Sequence, residues 1–140
     1  MKKISLLLVF FGILFISSCN NDDGTATGSD CVMTKIIDEN TFNELSTENY
    51  QLDNIILNDN CMEITLTSTG CDGKTWELNL YGLETTTIEK PVKLELINEE
   101  TCLAIVKKTI SFNLTPLRVE GQNEVLINIE GWNEPIIYQY

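Results

Sequence analysis

Apolar and polar residues alternate along the chain from residue 50 onward. Met62, Ile64 and Leu66 interleave with Glu63, Thr65 and Thr67, and Trp76, Leu78 and Leu80 interleave with Glu77 and Asn79. The same period recurs through Val92, Leu94 and Leu96, through Ile110, Phe112 and Leu114, and through Val125, Ile127 and Ile129. A period of two predicts strands with one face on a core and the other in water. Ile55-Ile56-Leu57 and Ile136-Ile137-Tyr138 are shorter strand candidates. Turn formers separate these runs: Asn58-Asp59-Asn60, Gly70 to Gly73, Gly82, Glu120 to Asn123, and Gly131 to Pro135. Only Asp38 to Thr47 could hold a helical turn, around Phe42 and Leu45. Parity slips at Lys107-Lys108, where a bulge or a change of sheet is expected.

Regular short strands joined by such turns predict an all-β antiparallel sandwich, immunoglobulin-like in architecture, over residues 31–140. A small closed β-barrel is the alternative. The antibody-type Cys–Trp–Cys arrangement is not evident.

The first 19 residues read differently. Lys2 and Lys3 precede an apolar run from Ile4 to Ile16, too short for a membrane span of about 20 residues but suited to a signal-peptide core. Ile16-Ser17-Ser18-Cys19 follows and resembles the lipobox of bacterial lipoproteins. The resemblance implies a signal peptide over 1–18, acylation of Cys19, with palmitate-like chains anchoring the mature protein to a membrane, and an outer-membrane address. Residues 19–30 hold no large apolar side chain and read as a disordered tether. Asn21-Asp22-Asp23 resembles the acidic export mark of some surface-displayed lipoproteins, and equally suits a solvated linker.

Charge and cysteine content narrow the function. The 140-residue chain carries 9 cations, 21 acids and no histidine. Removing residues 1–18 takes away Lys2 and Lys3 but no acid, leaving 7 cations against 21 acids and a net charge of −14. Such a surface repels nucleic acid. Lack of histidine removes imidazole metal sites and Ser-His or Cys-His nucleophilic pairs.

With Cys19 acylated, Cys31, Cys61, Cys71 and Cys102 remain, which suits two disulfides in an exported domain. Residues 62–69 as a strand span about 26 Å, too far for a Cys61–Cys71 bridge. If strands alternate in direction, Cys71 and Cys102 share one end. A strand climbing from Cys31 would put that cysteine beside Cys61. The expected pairs are Cys31–Cys61 and Cys71–Cys102.

Candidate chemistry is sparse. Glu99-Glu100 and Asp72 could serve acid–base work, but they lie in expected turns, and no catalytic residue is assigned. Asn58-Asp59-Asn60 and Gly70-Cys71-Asp72-Gly73 offer hard oxygen ligands for calcium without EF-hand spacing, so no cofactor or metal is expected beyond the lipid. Trp132, Tyr138 and Tyr140 could form a sugar-stacking platform, whereas Trp76 has the parity of a core residue. Asn113-Leu114-Thr115 matches a glycosylation acceptor by chance. The resulting expectation is a membrane-anchored, cell-surface, non-catalytic binding or structural module for an unknown protein or glycan. The alternative is an enzyme or enzyme inhibitor acting through its loops.

Overall fold

The computed structural model describes residues 31–140. The segment expected to be a signal peptide (1–18), Cys19, the expected tether (19–30) and Asp22-Asp23 lie outside the described residues. Two sheets pack face to face. The first holds β1 (Val32–Met33), β7 (Ala104–Asn113), β4 (Cys61–Gly70) and β3 (Gln51–Asn58) in that order. The second holds β2 (Lys35–Ile37), β5 (Glu77–Leu83), β6 (Glu89–Ile97), β8 (Glu124–Ile129) and β9 (Ile136–Gln139). They form an open sandwich, not a closed barrel.

The core is built by the alternating positions. Met62, Ile64, Leu66, Leu80, Leu94, Phe112, Val125 and Ile127 are all fully buried between the sheets. Each such side chain contributes roughly 1.5–3 kcal/mol of transfer free energy on burial. The one α-helix among the described residues, α1 (Glu39–Glu44), occupies the stretch expected for a helical turn. Asp38 caps it by accepting from the Thr41 N–H at 3.1 Å, and Phe42 is its one buried residue.

Neighbouring strands are antiparallel in four pairs, β3–β4, β4–β7, β5–β6 and β8–β9. Three pairs, β1–β7, β2–β5 and β6–β8, are parallel, so the expectation of a purely antiparallel sandwich is corrected to two mixed sheets. Residues 32–37 explain two of these. They run along the β7 edge, cross at the buried Thr34 and join the second sheet beside β5. Strands of two and three residues carry too short a pattern to reveal that crossing.

Cys31 is joined to Cys61 and Cys71 to Cys102, the pairs expected from strand direction. One step of that argument is corrected. With β4 taken as climbing from Cys61, β7 descends and so does its parallel neighbour β1. Cys31 sits at the lower end because β1 is confined to the last two residues of β7, not because a strand climbs from it.

The expected bulge at Lys107-Lys108 is absent. The β4–β7 ladder runs unbroken through ten pairs, and the register shift falls instead between Leu52 and Asn54 of β3. Lys108 keeps the inward parity of Val106 and Ile110. Its ammonium turns to the sandwich end, donating to the carbonyls of Gly73 at 2.7 Å and Trp76 at 3.3 Å.

Candidate functional site

The upper end of the sandwich is organised by one carboxylate. Glu100 Oε2 accepts from the main-chain N–H groups of Cys71, Asp72 and Gly73, the latter two at 3.2 Å each. Glu100 Oε1 accepts from the Thr75 hydroxyl at 2.8 Å. Successive N–H groups pointing to one side form an anion-binding concavity, here filled by the chain's own side chain. Desolvation works against the charge, but the Thr75 hydroxyl and the three N–H donors outweigh it and hold the Glu100 carboxyl at about 2. The two adjacent acids therefore diverge. Glu100 clamps the loop that carries the Cys71–Cys102 bridge, while Glu99 is exposed beside Thr75, Glu77 and Ile97.

The calcium candidates are committed elsewhere. Asp72 binds Lys74, with its Oδ2 2.7 Å from the ammonium, and the Lys74 hydrogen bonds lower its pKa. Asp59 adopts a left-handed turn conformation at φ 50°. Asn60 Oδ1 accepts from Arg118 Nη2 at 2.6 Å and from the Tyr138 hydroxyl at 2.9 Å. Among the described residues no group of three or more Cys, Asp or Glu side chains is placed to hold a metal ion.

The aromatic residues do not share a platform. Tyr138 is fully buried, and Tyr140 packs on it with ring centroids 5.2 Å apart, the Arg118 guanidinium lying 4.7 Å from the Tyr140 ring. Trp132 lies beyond the opposite end of the β8–β9 pair, half-buried against the core. Trp76 is a core residue, as its parity indicates.

A shallow cleft of about 360 Å³ opens between the sheets, lined in part by Thr47, Tyr50, Leu52, Glu130 and Trp132. Glu130 accepts from the Thr47 hydroxyl at 2.5 Å and lies 3.3 Å from the Lys93 ammonium, and these contacts lower its pKa. Lys93 has the outward parity of its strand yet is only 9% exposed, because α1 lies over it with the Phe42 ring 5.0 Å from its ammonium. Tyr50, Lys93, Glu130 and Arg118 carry no local sequence signal of these roles, since their partners lie 20 to 83 residues away. The displaced carboxyls of Asp53, Asp72, Glu100 and Glu130 are all lowered. Each is thus a stable anion at neutral pH, engaged in holding loops and strands together.

No protein-family model and no curated protein matches the chain. Solved structures do resemble it. A protein of unknown function of the DUF1344 type from Bacteroides vulgatus matches with a TM-score of 0.51 at 15% identity, over 79% of this chain and 56% of that one. A NigD-like immunity protein from Bacteroides caccae matches with a TM-score of 0.53 at 11% identity, over 76% of this chain and 58% of that one. The chain thus aligns with less than two thirds of either structure's length, and at these identities the likeness is one of fold: a β-rich module of two packed sheets.

Proposed function

We propose that this protein is a lipid-anchored, non-catalytic contact module held at the outer membrane and facing the cell exterior. The observation that carries the reading is the lipobox-like Ile16-Ser17-Ser18-Cys19 together with the place where the described domain begins. Cys31 is tied to Cys61 at the lower end of the sandwich, so a chain anchored through Cys19 holds the domain by that end. The opposite end then points away from the membrane. It carries the Cys71–Cys102 bridge, the clamped Glu100 loop, and the two most exposed large apolar residues among those described, Leu103 at 87% and Ile105 at 75%. Large apolar side chains held out in water suit a contact surface. A second acyl chain on Cys19 converts marginal membrane binding into stable anchoring.

Protease treatment of intact cells tests the display. Cleavage of the domain before cell breakage is the expected result; full protection until the cells are broken contradicts it. If the domain is accessible and Asp22→Ala with Asp23→Ala leaves accessibility unchanged, display stands and the acidic pair is not its signal.

A further inference from the structure

Among the described residues, no strand pairs with the outer margin of β7 over most of its length. β4 pairs with one side of this strand from Ala104 to Asn113, while β1 covers only Phe112 and Asn113 on the other. The Asn113 carbonyl accepts from the Thr34 N–H at 3.2 Å, which fixes the odd-numbered residues as those whose backbone faces away from β4. The N–H and C=O groups of Ile105, Lys107 and Thr109 therefore point to a margin that no described strand covers. Such a row of unpaired groups is a template for strand addition unless something blocks it.

Two other margins are blocked. β3 is bulged beside Asp53, and β9 is four residues long and follows Pro135. β7 has neither device. Its outward Lys107 is drawn across β4 to Asp53, 3.1 Å from the carboxylate, which takes the ammonium off the edge. On the inner face, Val106, Lys108 and Ile110 are only half-buried, whereas Met62, Ile64 and Leu66 on the neighbouring β4 are fully buried. An added strand would complete their burial.

Lys108 specifies the occupant. Its ammonium meets two main-chain carbonyls and, among the described residues, no carboxylate. A side chain placed opposite it on an added strand would come within about 5 Å at Cβ. A second copy is the wrong occupant: the inner face of β7 (Ala104, Val106, Lys108, Ile110, Phe112) carries no acid to set opposite Lys108, and the register centred on Lys108 sets that charge against its own copy, which is destabilising. Nor does Cys31 continue β1 upward along β7. Its Cα lies 6.1 Å from that of Cys61, although two strand spacings in the plane of the sheet would separate them by about 9.5 Å.

We propose that the upper margin of β7 receives an extended segment of a partner protein with an acidic residue flanked two positions away on each side by apolar residues. The acid pairs with Lys108, and the apolar residues cover Val106 and Ile110. The proposal rests on the reading of the domain as a contact module. Its test is independent of the anchor.

The probes are two acetylated heptapeptides, Thr-Val-Thr-Glu-Thr-Val-Thr and its variant with a central lysine, added to the full mature chain in detergent. Binding is read by fluorescence anisotropy, amide protection by hydrogen exchange, and mass by light scattering. The glutamate peptide is expected to bind at least about fivefold more tightly than the lysine peptide and to slow exchange at Ile105, Lys107 and Thr109. Lys108→Glu should reverse the preference and Lys108→Met should abolish it; the exchange measurement on the unaltered chain needs neither variant. Equal affinity, no binding of either peptide, or a preference unchanged by both substitutions overturns the proposal. So does protection of the three amides before peptide is added, which in a monomer would mean the chain's own residues 20–30 fill the margin and in a dimer a second copy.

Discussion

The Tyr50 hydroxyl donates to the main-chain carbonyl of Leu94, tying the chain just before β3 in one sheet to β6 in the other. The bond falls above the point where β8 stops pairing with β6, at Val92. Asn49 Nδ2 extends the same repair by donating to the Leu96 carbonyl at 3.0 Å. Two side chains thus replace the missing upper part of a parallel neighbour, which accounts for how β6 outruns β8 without stranding buried carbonyls.

Tyr50→Phe should lower stability by about 1–3 kcal/mol, because it leaves the Leu94 carbonyl without its donor. Burial, with the nearby Glu130 charge, pushes the Tyr50 hydroxyl above its ordinary range. Folding therefore holds this proton more tightly than the unfolded chain does. That contribution is complete below about pH 10 and drains away as pH rises further. Urea melts at pH 8 and pH 11 check it: the alkaline loss should be smaller in Tyr50→Phe than in the unaltered protein.

Glu100 has the opposite sign. Its carboxyl falls from 4.5 to about 2 on folding, so its stabilisation is complete above pH 4.5 and is lost as pH falls toward 2. Glu100→Gln should flatten the fall in melting temperature across that interval. It should also speed amide exchange at Cys71, Asp72 and Gly73, whose N–H groups lose a charged acceptor. Unchanged exchange at those three amides would remove the clamp from the account.

Each disulfide closes a long loop, with sequence separations of 30 and 31 residues. Loop-closure entropy puts the contribution of each at about 3–4 kcal/mol. Replacing Cys31 and Cys61 together by alanine, or Cys71 and Cys102, should cost about that much in denaturant melts. Peptide mapping without reductant that joined Cys31 to Cys71 or Cys102 would overturn the strand directions as well as the pairing.

Gly82 of β5 packs against Leu117 and against Ile36, the residue opposite it on β2. An added Cβ would collide with the Leu117 side chain and lie 3.1 Å from Ile36 Cδ1. Gly82→Ala should therefore destabilise by about 1–3 kcal/mol through overpacking, measured by thermal melting. A neutral outcome would mean that the β2 crossing yields easily.

The strands from Cys61 to Ile129 were legible because each buries one face, and burial imposes a period of two on the residues themselves; β3 showed only as the short run Ile55-Ile56-Leu57, because none of its side chains is fully buried. The helical turn was legible through the spacing of Phe42 within a polar stretch capped by Asp38. The crossing of residues 32–37 was not, because two- and three-residue strands repeat nothing. Lys108 misled the parity reading because a long side chain can lie on an inward face and still deliver its charge to carbonyls at the sandwich end. Glu100 and Asn60 looked like ordinary turn residues. Their roles depend on donors 25 to 78 residues away, which no local pattern encodes.

The anchored module stands or falls on one residue, Cys19, and mass spectrometry of the native N-terminal peptide measures it directly. The expected result is a mature chain beginning at Cys19 with its thiol carrying a diacylglyceryl group and its amine acylated. An unmodified Cys19, or a mature chain beginning elsewhere, would contradict the account.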